Sequence, residues 1–155
     1  MKQKDEIQEI QELLFIALPA WNYQIVKPLK QFLDDGMSLG MYYCLQTLLY
    51  YKEGLTMSEL ARCNDMTKQQ MTKLINRLVE LGFVERIYDP HDRRIIRIQA
   101  TDHAIDYINS FLEHDAGYLR TLLENMEKTD RLAFKKALLT FIKVLVEKNP
   151  PVPFK

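Results

Sequence analysis

Apolar residues recur every three or four positions along most of this 155-residue chain, and they nearly alternate over one stretch past its middle. Near the start, Ile7, Ile10, Leu14, Ala17, Leu18, Trp21 and Ile25 form one stripe on a helix. Pro19 and Pro28 lack backbone donors and predict a kink or split in it, and Asp35-Gly36 predicts its stop. Ser38 caps a second helix to about Lys52, with Met41, Tyr42, Leu45, Leu48 and Leu49 inward and Gly54 past its end.

Two capping boxes follow, Thr56-Met-Ser-Glu59 and Thr67-Lys-Gln-Gln70. Each pairs a hydroxyl with a Glu or Gln three residues on, so that orphan N–H groups at a helix start are satisfied reciprocally. Ser58 to Arg62 is too short to stand as a free helix and must lean on a neighbour. Cys63-Asn-Asp-Met66 is then a tight connection, and Thr56 to Leu81 reads as a helix-turn-helix. Its second helix turns Met71, Leu74, Ile75, Leu78 and Val79 inward. Lys68, Gln69, Thr72, Lys73, Asn76 and Arg77 face outward, with no acid before Glu80, and Gly82 ends the helix.

Phe83 to Tyr88 and Ile95 to Ala100 are β-branched or aromatic and predict a hairpin whose tip is Asp89-Pro-His-Asp-Arg-Arg94. Thr101-Asp102 caps a long helix with the stripe Ile105, Ile108, Phe111, Leu112, Tyr118, Leu119, Leu122 and Met126. Thr129-Asp130 starts a last helix with Leu132, Ala137, Leu138, Phe141, Ile142 and Leu145 inward. Pro150-Pro-Val-Pro-Phe154 predicts an extended tail.

Hydrophobic residues at 47% and charged residues at 27% describe a globular chain. Lys+Arg and Asp+Glu both total 21, so net charge names no partner. Locally the balance shifts. Thr56 to Gln99 holds the bases Arg62, Lys68, Lys73, Arg77, Arg86, Arg93, Arg94 and Arg97 against the acids Glu59, Asp65, Glu80, Glu85, Asp89 and Asp92. That excess matters if folding gathers the bases on one face. No apolar run of about 18 residues predicts a membrane span, and the polar start MKQKDEIQEIQE predicts no signal peptide. Cys44 and Cys63 lack metal-type spacing, which fits a reducing, cytoplasmic setting. His91, His103 and His114 make no i, i+4 pair, so no metal or cofactor is expected. With no nucleophile–base motif and no phosphate loop, an enzyme is not expected either.

The donor-rich helix suits duplex DNA. Side chains near the start of a helix in the major groove meet base edges. There Lys donates to guanine, Gln pairs bidentately with adenine, and Thr bonds a base edge or phosphate. Thr67, Lys68, Gln69, Gln70, Thr72, Lys73, Asn76 and Arg77 are the candidate contacts. The hairpin supplies Arg93 and Arg94 to a minor groove, whose focused negative potential attracts arginine. Asp92 can hold one of them by a charge-assisted bond.

Ser58-Glu-Leu-Ala61, Thr72-Lys-Leu-Ile-Asn-Arg-Leu78, Leu81-Gly-Phe-Val-Glu-Arg86 and Asp92-Arg-Arg94 with Ile98-Gln-Ala-Thr101 resemble the winged helix-turn-helix of the multiple-antibiotic-resistance regulator (MarR) family. Ala100 stands where that family usually has Leu. The resemblance implies an α+β, mostly α fold. Residues 1–35 would be an N-terminal dimerisation region, residues 36–101 a winged DNA-binding lobe, and residues 102–155 C-terminal dimerisation helices and tail. It implies a homodimeric transcriptional regulator, most often a repressor, that binds a pseudo-palindromic duplex. Its recognition helix begins at Thr67, and Arg94, oriented by Asp92, enters the minor groove beside Arg93. It also implies a pocket for a small aromatic or phenolic effector, with Trp21, Tyr23, Tyr42 and Tyr43 as candidate lining residues. The apolar stripes at both ends exceed what one winged domain covers, which supports dimerisation independently. Two alternatives remain open: redox sensing through Cys63, and a winged-helix module that binds protein.

Overall fold

The computed structural model describes residues 5–115 and 117–147. The chain divides into two compact units, Met1–Gly36 and Met37–Lys155. The expected extended tail at 150–154 lies outside the described residues. No described helix is long and apolar enough to cross a membrane.

In the first unit, Asp5 caps α1 (Glu6–Trp21), its carboxylate accepting from the Gln8 N–H at 2.7 Å. The first helix divides, as the prolines predict, but the path stays helical. A π turn at Asn22–Val26 follows Pro19, and α2 (Lys27–Phe32) begins at once with Pro28 in its first turn. There the missing N–H has least to lose, and the wider turn absorbs the change of register. No residue of α1 is buried, and Ile7 and Phe15 are 70% and 74% exposed. The stripe is real, but none of its described residues in α1 is buried.

The second unit starts with α3 (Leu39–Tyr50), whose Ser38 cap accepts from the Met41 N–H at 3.2 Å. Then come β1 (Leu55–Thr56), α4 (Met57–Cys63), α5 (Lys68–Glu80), β2 (Val84–Tyr88), β3 (Ile96–Ala100) and α6 (Asp102–Ser110). Both capping boxes are formed, at Thr56/Glu59 and Thr67/Gln70. Between α4 and α5 Asp65 adopts φ +50°, a left-handed conformation that Asp tolerates. Gly82 (φ +76°) ends α5, and the Phe83 N–H returns to the Leu78 carbonyl at 2.9 Å, closing a Schellman turn. The core gathers Cys44, Leu45 and Leu48 of α3, Leu60 of α4, Met71, Ile75 and Leu78 of α5, and Ile98 of β3, all essentially inaccessible.

The sheet has three antiparallel strands in the order β1-β3-β2. Its register pairs Leu55 with Ile98, and runs from Val84↔Ala100 to Tyr88↔Ile96 in the hairpin. The sequence predicts only the hairpin. β1 is two residues long, too short to leave a pattern. Gly54 delivers the chain to it at φ +78°, and an added Cβ would lie 2.6 Å from the Ile98 carbonyl oxygen, so only glycine fits.

One buried ion pair joins the hairpin to the rest. Arg97 Nε donates to Asp89 Oδ2 at 2.6 Å, and both residues are 7% exposed. Arg97 Nη1 also donates to the Gly54 carbonyl at 3.4 Å and lies 3.9 Å from Glu59 Oε2. Asp89 accepts from the His91 N–H at 2.9 Å and the Asp92 N–H at 3.3 Å. The His91 N–H and then the Arg97 guanidinium hold its carboxyl down at about 2.

Beyond the sheet, the long helix expected after Thr101 is interrupted by a π turn at Phe111–Asp115, and α7 (Gly117–Glu124) follows. Its stripe is also only partly inward. Ala104, Ile108 and Phe111 are buried, whereas Ile105, Leu112 and Leu122 are exposed. The last helix, α8 (Lys128–Ile142), has its N-cap at Glu127, two residues before Thr129, with no side-chain cap bond. It buries no residue, and Leu132, Leu139, Phe141, Ile142 and Leu145 are exposed. Among the described residues, nothing covers these positions.

Two stability outcomes follow. An unfolded Asp titrates near about 3.9, so the Asp89 contribution is complete above that pH and is lost as pH falls from about 4 to about 2. Asp89→Asn should lower the urea midpoint at pH 7 and flatten the acid dependence in that window. An unchanged acid limb would remove Asp89 from the account. Thr67→Ala should destabilise by about 1 kcal/mol through loss of the α5 cap, read by urea unfolding.

Candidate nucleic-acid interface

α5 lays its surface stripe on the face opposite Met71, Ile75 and Leu78. Lys68, Gln69, Gln70, Lys73, Asn76 and Arg77 are exposed, and Thr72 is half-buried. Their polar atoms are not equally available. Thr67 Oγ1 and Gln70 Oε1 are committed to the capping box, at 3.1 and 2.9 Å. Thr72 Oγ1 donates to the Lys68 carbonyl at 2.7 Å. Arg77 Nη1 meets Glu80 Oε2 at 3.1 Å. Asn76 Oδ1 accepts from Arg86 Nη2 at 2.6 Å. Lys68, Gln69 and Lys73 keep their whole functional groups toward solvent.

The hairpin turn sets the two arginines apart. Arg94 Nε and Nη2 donate to Asp92 Oδ1 and Oδ2 at 3.1 and 3.0 Å, and the Arg94 N–H donates to Oδ1 at 3.0 Å. These bonds lower the Asp92 carboxyl below the ordinary range, the Arg94 side chain first and its N–H second. The Arg94 side chain is nevertheless 91% exposed. Asp92 therefore orients Arg94 without burying it. Arg93 and His91 are exposed beside it.

Two residues here have roles that the sequence pattern does not predict. Arg97, one of the eight bases between Thr56 and Gln99, is the buried anchor of the wing. Its inward position in β3, between Ile96 and Ile98, is a signal that alternation alone does not resolve. Arg86 ties β2 to Asn76 on α5, a link between two elements that no local motif predicts.

The four aromatics named as pocket candidates do not share one environment. Trp21 and Tyr23 are exposed in the first unit. In the second unit Tyr43 is exposed, whereas Tyr42 is core, 5.7 Å from the Phe111 ring, with its hydroxyl accepting from Gln46. An open groove of about 470 Å³ lies elsewhere in that unit, lined by Gln46, Thr47, Tyr50, Tyr51, Cys63, Ile142, Leu145 and Val146. Burial raises the Cys63 thiol, Glu59 raises it further, and Arg62 only partly opposes them. Burial pushes Cys44 up to about 12. Neither thiol has the lowered pKa that makes a cysteine reactive.

Residues 36–95 match the family model described as MarR family. The HTH-type transcriptional repressor YetL of Bacillus subtilis is 30% identical over 108 residues, which covers 69% of this chain and 65% of YetL. The chain thus spans less than two thirds of the length of the curated relatives it matches. Among solved structures, Rv1404 from Mycobacterium tuberculosis superposes with a TM-score of 0.71 at 18% identity, over 92% of this chain and 95% of that one. Sco3205, a MarR family transcriptional regulator from Streptomyces coelicolor solved in complex with DNA, gives 0.61 at 18% identity over 94% of both chains. At such identities the structures speak for the fold, a mostly helical winged helix. The family model over residues 36–95, the curated relative and the solved folds agree in what this chain is similar to: the winged-helix regulators of the MarR family.

Proposed function

We propose that the protein is a transcriptional regulator that binds a pseudo-palindromic DNA duplex as a homodimer and acts as a repressor. The observation that carries this reading is the pairing of two elements on one lobe. α5 presents the uncommitted donors Lys68, Gln69 and Lys73, and the hairpin presents Arg94, pre-oriented by Asp92. The first element suits a major groove and the second a minor groove. Ordering the guanidinium beforehand reduces the entropy lost on binding. Thr67, Gln70, Thr72, Asn76 and Arg77 flank the reading stripe, with their polar atoms partly committed within the lobe. Arg93 adds charge near the phosphates.

Dimerisation is supported by the bare apolar faces of α1 and α8. Contiguous apolar surface of that kind is unusual on a monomer and marks an interface. A two-fold dimer would place two recognition helices one helical turn apart on the duplex. For an effector, the groove at Tyr50, Tyr51 and Cys63 offers an aromatic pair opposite the aliphatic side chains of Ile142 and Leu145. It suits a small aromatic or phenolic ligand better than the four scattered aromatics do. The raised Cys63 thiol argues against redox sensing.

Gel-shift titration against the promoter region upstream of the gene tests the reading. No retardation at low salt by folded protein would sink it. Arg94→Ala should weaken binding to every duplex and reduce the salt slope by about one, whereas Gln69→Ala and Lys73→Ala should alter which duplexes are preferred. Unchanged affinity for Arg94→Ala would end the role of the wing. In sedimentation velocity the chain should run as a dimer, and Phe15→Glu or Leu139→Glu should shift it toward monomer with helical content retained. A monomeric wild type would remove the dimer.

A further inference from the structure

Arg86 and Asn76 are exposed, ten residues apart, and joined by a 2.6 Å hydrogen bond from β2 to α5. The chemistry of the pair fixes its polarity. A guanidinium carries only donors, so the atom facing it must be the amide oxygen of Asn76. The Asn76 NH2 group, with both hydrogens, is left for whatever approaches α5. Gln69, Thr72, Lys73 and Asn76 follow one another at spacings of three and four, and so share one face of the helix. On that face the Thr72 proton is committed to the Lys68 carbonyl. Gln69 alone keeps a complete amide, with acceptor and donor together.

We infer that Arg86 is a specificity-determining positioning residue, which locks Asn76 so that the recognition helix presents an amide donor to guanine instead of reading adenine. This rests on α5 being the DNA-reading helix. An Asn or Gln reads adenine with its oxygen and its NH2 together, accepting from N6 and donating to N7. With its oxygen held by Arg86, Asn76 has only donors, which match guanine O6 and N7. Adenine reading then falls to Gln69. Arg86 touches no base in this arrangement and acts through Asn76.

The test selects preferred sites from a randomised duplex pool for the wild type, Arg86→Ala, Arg86→Lys and Asn76→Ala. Affinities for the selected duplexes are then measured at several salt concentrations, with folding checked by circular dichroism. Both residues are exposed, so the variants should fold. Arg86→Ala and Asn76→Ala should change preference at the same base pair of each half-site. Arg86→Ala frees the Asn76 oxygen, so the guanine-over-adenine affinity ratio there should fall by about tenfold. Arg86→Lys keeps a donor toward Asn76 and should retain the preference. A uniform loss across all duplexes, with preference unchanged and the salt slope reduced by about one, would make Arg86 a phosphate contact and overturn the inference. A wild type that selects no sequence would overturn this inference together with the DNA-reading role, whereas a selective wild type with a neutral Arg86→Ala overturns the inference alone.

Discussion

The Arg97 guanidinium, buried between a wing carboxylate and a backbone carbonyl, is the contact on which the geometry of the lobe depends. Arg97 sits in the central strand, opposite Thr56 of β1 on one side and Ile87 of β2 on the other. From there its nitrogens reach Asp89 at the root of the wing turn, the Gly54 carbonyl ahead of β1, and the edge of Glu59. Glu59 Oε2 also accepts from the Thr56 N–H at 2.8 Å as part of the α4 capping box. One charge thereby links the wing, the sheet and the first helix of the helix-turn-helix. Removing one partner would leave the other charge buried and uncompensated, the costly case for a buried pair. Its value here is geometric, because it fixes the angle at which the turn leaves the sheet.

Four arginines of the lobe divide the work that their shared charge suggests. Arg97 is buried and structural. Arg94 is tethered by Asp92 but exposed, and an ion pair so open to water contributes little to stability. Arg86 spends a donor on Asn76, and Arg93 stands exposed beside the tethered Arg94. A count of bases against acids from Thr56 to Gln99 averages over all four. It predicts a mild excess of charge and misses the placement that matters.

The legible parts of the fold were those decided over a few residues. Thr56/Glu59, Thr67/Gln70, Ser38 and Gly82 each act within one helical turn, and their caps form as the sequence predicts. The Asp92–Arg94 link spans two residues and was legible for the same reason. Arg97 and Gly54 are 43 residues apart, β1 exists only because β3 runs beside it, and Arg86 meets Asn76 across two elements. Those pairings depend on tertiary approach, which periodicity does not carry. The prolines predict a kink or split but not its form, a π turn at Asn22–Val26 that keeps the path helical.

The terminal helices show that an apolar pattern leaves open what covers it. The stripes of α1 and α8 have helical spacing, but an apolar stripe states only that something must cover it, not that the same chain does so. In the second unit the core closes over α3, α4, α5 and the sheet and leaves α8 without a buried residue. If a second copy supplies the cover, as proposed, the spacing between two copies of α5 is set by helices that carry no DNA-contacting residue. The groove at Tyr50 and Tyr51 has Ile142, Leu145 and Val146 on its other wall, so an occupant would touch both the winged lobe and the terminal helix. A ligand there can shift DNA affinity only by binding one relative placement of those two walls better than another. That condition ties any effector response to the same apolar surfaces that the isolated chain leaves uncovered.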